Sequence, residues 1–255
     1  YATLADAINA AKDGETVNML ASTVCTENTD LTEVKSVTVD FAQHTFTGDN
    51  KNIAIRSKAE GAGVLTLMNG TITTGDGTYC TLGAANGSAI VVKDMILNNS
   101  TAFGGSVKAF PGGTIELRDS QLNSVKGGGV AAAGGTVNIY NSKIDQKEYY
   151  DWNSMIAAAS NGTGVVNIYG GEFTSENYGL YIFTSGGTIN VYDGTFTVTG
   201  DKPVLKADLD LGSYPNAVAE INISGGTFVG GIDMAKNENV HLNITGGTFS
   251  VDPNA

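Results

Sequence analysis

Lys93 and Asp94, and then Arg118 and Asp119, occupy the same two offsets in successive copies of an internal repeat, with Glu116 two residues before Arg118. The repeat register puts Lys93, Glu116 and Arg118 on the outer face of two neighbouring turns of chain. Carboxylates beside a base are the equipment of proton abstraction or of acid/base hydrolysis. The same residues have a plainer reading, in which Glu116 and Arg118 pair with each other on one strand while Asp94 and Asp119 fill a turn. Tyr140, Tyr169 and Tyr192 recur at one position of three further copies. Stacked, they support one another or present a platform for sugar rings. Two residues before each lies an asparagine, in the series Asn138, Asn167, Asn190, Asn222 and Asn243, whose amides can hydrogen-bond from copy to copy. A third group lies in the insertion from Gln146 to Asn153, which holds the only tryptophan, Trp152, beside Tyr149, Tyr150 and Asp151. An aromatic loop on a rigid scaffold is a recognition candidate unless it folds back on the wall.

Metal and thiol chemistry find little support. The two histidines, His44 and His241, fall at opposite ends of the repeat series, and no CxxC spacing occurs, which argues against zinc. Asp201, Asp208, Asp210 and Tyr214 sit in the longest copy, where calcium is conceivable but no calcium-loop signature stands; no other cofactor is expected. Cys25 and Cys80 lie roughly two copies apart, too far for a disulfide, and Cys80 reads as a buried free thiol.

What must position these groups is the repeat itself. Eight copies of one phrase begin at Leu65, Ile90, Ile115, Val137, Val166, Ile189, Ile221 and Leu242, with a looser ninth at Val37. The spacing ranges from 21 residues (Ile221 to Leu242) to 32 (Ile189 to Ile221). Copies that tolerate such insertions stack as a solenoid. Each phrase opens with two apolar residues flanking a polar one, the period of a half-buried strand. The fifth position reads Asn69, Asp94, Asp119, Asn141, Gly170, Asp193, Gly225 and Gly246, residue types that enter the left-handed region at low cost, so a sharp bend is expected there. The eighth position (Ile72, Leu97, Leu122, Ile144, Phe173, Phe196, Phe228, Phe249) starts a second inward-facing strand. A third apolar segment follows, among them Ile53-Ala-Ile55, Val107-Lys-Ala109, Tyr181-Ile-Phe183 and Val204-Leu-Lys206. Three strands per coil predict an all-β, right-handed parallel β-helix of about nine to ten coils, forming one domain over 1–255. Residues 3–14 predict a capping helix with Thr3 at its start, Leu4, Ala7, Ile8 and Ala11 on one face, and Gly14 as its stop. Coils are expected over 15–249. The exit at 250–255 is too short to cover the last coil, so a following segment or another chain is expected there.

Composition fits a single extracellular domain. The 255 residues are 41% hydrophobic with 34 glycines, and the formal net charge of -12 argues against nucleic acid or an anionic membrane as partner. No apolar run is long enough to span a bilayer as a helix.

The opening Leu4-x-x-Ala7-Ile8-x-x-Ala11-x-x-Gly14-x-x-Val17 and the coils after it resemble the pectate-lyase-like (pectin-lyase-like) β-helix superfamily. Residues Val37 to Gly48 and the Gly-Gly-Thr-Phe copies ending at Phe228 and Phe249 resemble repeat regions of large surface proteins, including adhesins, of Gram-positive gut bacteria. The resemblance implies a secreted or surface-anchored part of a multidomain chain that adheres to a glycan or a host or cell-surface protein. The superfamily also hosts enzymes on uronic-acid polysaccharides, which use acidic calcium ligands and an arginine base. The only arginines here are Arg56 and Arg118, and the Asn-Thr-Asp, Asp-Asp, Gly-His-Gly and Arg-Ile-Lys signatures of polygalacturonase-like enzymes are missing. The sequence thus favours a non-catalytic adhesion or glycan-recognition module. A polysaccharide lyase or glycoside hydrolase centred on Glu116 and Arg118, and a structural spacer, are the alternatives.

Overall fold

Residues alternate between buried and half-buried along the strands Thr114–Arg118 and Thr136–Tyr140, as a sheet with one face in the core requires. In the computed structural model, which describes residues 1–25, 29–48, 53–58, 60–61, 63–75, 78–100, 105–147, 154–159 and 163–253, such strands stack in register from coil to coil. Every pairing is parallel, and the result is a β-solenoid with three faces. The third face is a nine-stranded sheet. The first two form one 18-stranded sheet, because Val64–Thr74 and Ala89–Asn99 run through the bend as single strands. Ile115 lies between Ile90 and Val137, and Leu122 between Leu97 and Ile144, so each phrase position becomes a column along the rod. The inner columns fill the core. At its C-terminal half Phe173, Phe196, Phe228 and Phe249 stack at centroid spacings of 4.7, 4.9 and 4.8 Å, the rise between coils.

The bend between the first two faces follows a rule finer than the phrase suggests. Asn69, Asp94, Asp119 and Asn141 have φ of 60°, 52°, 48° and 43°, as expected of the fifth position. In the last three coils the positive φ moves one residue on, to Gly194, Gly226 and Gly247, and leaves Asp193, Gly225 and Gly246 outside that region. The sixth position sets where the shift is allowed. Met95, Ser120 and Ser142 bury side chains there, so the left-handed residue must precede them. Glycine at the sixth place lets the turn move there, as at Gly194, Gly226 and Gly247, but does not force it: Gly70 follows Asn69 at φ 60° and packs closely on Phe41 and His44.

On the third face the expected segments fall on strands. Leu205 pairs with Leu180, and Lys206 with Tyr181, so Leu180 and Ile182 face the core while Tyr181 stands outside. Leu180-Tyr-Ile-Phe183 carries no polar residue to mark the outer face, so the sequence leaves this register open. Tyr181 is nevertheless covered, stacking on Phe183 at 4.0 Å, and burial pushes its phenol up to about 12. Thr29–Leu31 and Cys80–Ala84 complete this face without having been anticipated.

The N-terminal end carries a shorter helix than expected. It spans Leu4–Ala10 and stops at Ala11, not Gly14. Thr3 accepts a hydrogen bond from the Asp6 N–H at 3.0 Å, and Leu4, Ala7 and Ile8 are buried. Lys35 ends the helix: its buried ammonium donates to the carbonyls of Asn9 (2.7 Å) and Ala11 (2.9 Å), placing positive charge on the negative pole. Gly14 instead turns into the first coil with φ 79°, its N–H donating to the Ser36 carbonyl. At the opposite end Ile232, Leu242, Ile244 and Phe249 pack on the core but are only partly buried.

Candidate functional site

The outer face of the first sheet brings two of the sequence-predicted groups into adjacent columns. In one, Val91 is followed by Glu116, Asn138, Asn167, Asn190, Asn222 and Asn243. From Asn167 on, each asparagine Nδ2 donates to the Oδ1 of the preceding coil, at 2.9 Å (Asn167 to Asn138), 2.8 Å (Asn190 to Asn167), 2.9 Å (Asn222 to Asn190) and 2.8 Å (Asn243 to Asn222). Each amide keeps a second N–H and a second lone pair for other partners.

In the neighbouring column Asp40, Met68, Lys93 and Arg118 are followed by Tyr140 and, by stacking, Tyr169 and Tyr192. Their rings lie 4.5 and 4.8 Å apart, within 3° and 5° of parallel. Tyr169 and Tyr192 remain 42% and 48% exposed. Burial of the ring and the adjacent Tyr140, with a smaller effect of Glu116, push the Tyr169 phenol above its ordinary value. Arg118 closes one end of the stack, its guanidinium carbon 4.0 Å from the Tyr140 centroid. Its Nε donates to Glu116 Oε2 at 2.8 Å, and its Nη2 lies 2.6 Å from that oxygen. Arg118 as the cap of the tyrosine column escaped the sequence reading, although the phrase's fourth position shows it: Lys93, Arg118, Tyr140, Tyr169, Tyr192, Ser224, Thr245.

The other candidates separate. Asp94 and Asp119 sit in the bend and line a recess of about 500 Å³ with Gln121, Asn141, Lys143 and Glu172; Lys93, Glu116 and Arg118 are not part of that lining. Asp119 accepts from Asn141 Nδ2 at 2.8 Å, and Lys143 lies 3.5 Å from Glu172. Tyr149, Tyr150, Asp151 and Trp152 lie outside the described residues. Asp210 is committed to its own loop: its Oδ1 accepts from the N–H groups of Gly212 and Ser213, each at 3.1 Å, and the Ser213 side chain first, with these backbone bonds after it, holds its carboxyl below the ordinary value. Among the described residues no group of three or more His, Cys, Asp or Glu is placed to hold a metal. Cys25 and Cys80 are not disulfide-bonded, and burial pushes the Cys80 thiol up to about 12.

No known protein family, curated protein or solved structure matches this chain. Among the described residues no helix is long and apolar enough to cross a membrane.

Proposed function

We propose that this β-solenoid is a non-catalytic extracellular or cell-surface module for adhesion through glycan recognition. The observation that carries the reading is the exposed tyrosine column beside the amide ladder, both held on a continuous parallel sheet. Pyranose rings pack their C–H faces on aromatic surfaces, while side-chain amides donate to and accept from hydroxyls. A sheet braced by backbone pairing on both sides holds these groups without an ordering cost at binding. The resemblance of Val37 to Gly48 and of the Gly-Gly-Thr-Phe copies to bacterial surface repeats supports the same reading.

The recess at Asp94 and Asp119 gives the enzyme reading its one structural argument, because it offers carboxylates beside a concave surface. Both readings meet in one experiment. The protein and a Tyr169→Ala variant are applied to an array of plant, mucin and microbial glycans, and the bound glycans are then incubated with the protein and assayed for new reducing or unsaturated ends. Saturable binding weakened in the variant, without cleavage, is expected. Cleavage lost in Asp119→Asn would replace the recognition module by an enzyme, and no binding to any glycan would refute the proposal.

A further inference from the structure

The tyrosine column does not run the length of the rod; it breaks off after Tyr192. One face of that ring lies against Tyr169. Its other face opens on a recess of about 290 Å³ lined by Asn190, Asn222, Asn243, Ser224 and Thr245 together with Tyr192 and the backbone between them. The two following coils put Ser224 and Thr245 where tyrosines would continue the stack. Ser224 is exposed, and its hydroxyl is turned to the Val191 carbonyl at 3.2 Å. Of the two vacated places, the one against Tyr192, over Ser224, therefore has the footprint of a single missing ring. Its side wall is the C-terminal end of the amide ladder, where Asn222 and Asn243 retain donors and acceptors not used by the ladder bonds.

We propose that this recess is a stacking subsite for an uncharged pyranose, which lies on the free face of Tyr192 in the place of a fourth tyrosine and hydrogen-bonds through its hydroxyls to Asn222 and Asn243. The inference rests on the glycan reading above and adds to it a position and a ligand class. A recess one ring deep selects a flat unit with an apolar face. The absence of any carboxylate, ammonium or guanidinium from the lining leaves nothing to balance a charged sugar, and the chain's net charge of -12 repels uronates. A flat platform of three ring edges makes a different prediction, because it gains surface if the column is lengthened.

Ser224→Tyr separates the two. The added ring extends the column and fills the recess, so binding of a neutral oligosaccharide should weaken about tenfold or more, whereas a flat platform would bind as well or better. Isothermal titration with cellohexaose, mannohexaose, xylohexaose and hexagalacturonate measures this, and circular dichroism checks the fold of the variant. In the wild-type protein, independent of any variant, bound sugar C–H protons should shift upfield and show Overhauser contacts to the Thr245 methyl group. Binding by the wild type that Ser224→Tyr retains, or contacts confined to the edges of Tyr140 and Tyr169, overturns the subsite and leaves the platform standing. Binding of hexagalacturonate alone overturns the assignment of an uncharged ring. Failure of the wild type to bind any of the four overturns both.

Discussion

The asparagine ladder allows an energetic prediction that needs only counting. Asn190 takes part in two ladder bonds, donating to Asn167 and accepting from Asn222, whereas Asn138 at the ladder's N-terminal end takes part in one. A solvent-accessible neutral hydrogen bond contributes a net ~1 kcal/mol. Asn190→Ala should therefore cost about 2 kcal/mol, or roughly 4 °C in Tm for a chain of this size, and Asn138→Ala about half as much. The pair Asn167→Ala, Asn190→Ala breaks three of the ladder's bonds, not four, because one is shared. The double variant should thus be less destabilised than the sum of the singles by about 1 kcal/mol. Urea unfolding followed by circular dichroism gives all four values. Equal costs at Asn138 and Asn190, or strict additivity in the double variant, would refute the view that the amides form a bonded chain and would leave them as solvated surface groups.

Other perturbations test other parts of the fold. Phe196 is fully buried between Phe173 and Phe228, so Phe196→Ala should cost about 3–5 kcal/mol, and the half-buried terminal Phe249 less, measured by the same urea titration. Asp30 is opposed by burial but held below its ordinary 3.8 by hydrogen bonds to Arg56 (2.6 and 2.7 Å) and an ion pair to Lys58 (2.8 Å). Its folded value being lowered, the stability it contributes is complete above 3.8 and disappears as pH falls through the folded value; Asp30→Asn should flatten that acid limb of the Tm profile. Tyr181 has the opposite sign: its stabilising contribution is complete below 10 and is lost as pH rises towards about 12, so ultraviolet titration should show one late phenol that Tyr181→Phe removes. Cys80 should resist a thiol reagent in the folded protein and react only in denaturant, while rapid native labelling of it would contradict its burial.

The repeat and its consequences were written in the chain. Apolar residues at fixed offsets predict which side chains enter the core, and a coil-to-coil register converts equal phrase positions into columns, so Asn138 to Asn243 and Tyr140 to Tyr192 were legible as stacks before any coordinate was known. Thr3 as helix cap and Cys80 as a buried thiol were legible for the same local reasons. What the phrase did not carry depended on neighbours distant in sequence. The helix ends at Ala11 because Lys35, contributed by the next coil, takes the carbonyls of Asn9 and Ala11. The bend moves to Gly194, Gly226 and Gly247, where a sixth-place glycine permits it, yet stays on Asn69 before Gly70, and Tyr181 turns outward because its partners across the sheet fix a register that an all-apolar stretch leaves open. Arg118 was readable as an ion-pair partner of Glu116, but only the packing of adjacent coils shows its guanidinium on Tyr140. The sequence by itself determined the period, and with it the solenoid and the composition of its columns, because periodicity is a property of the chain alone. Tertiary structure decided where each column ends and which ring face is left uncovered, because those depend on side chains that meet only after the coils have stacked.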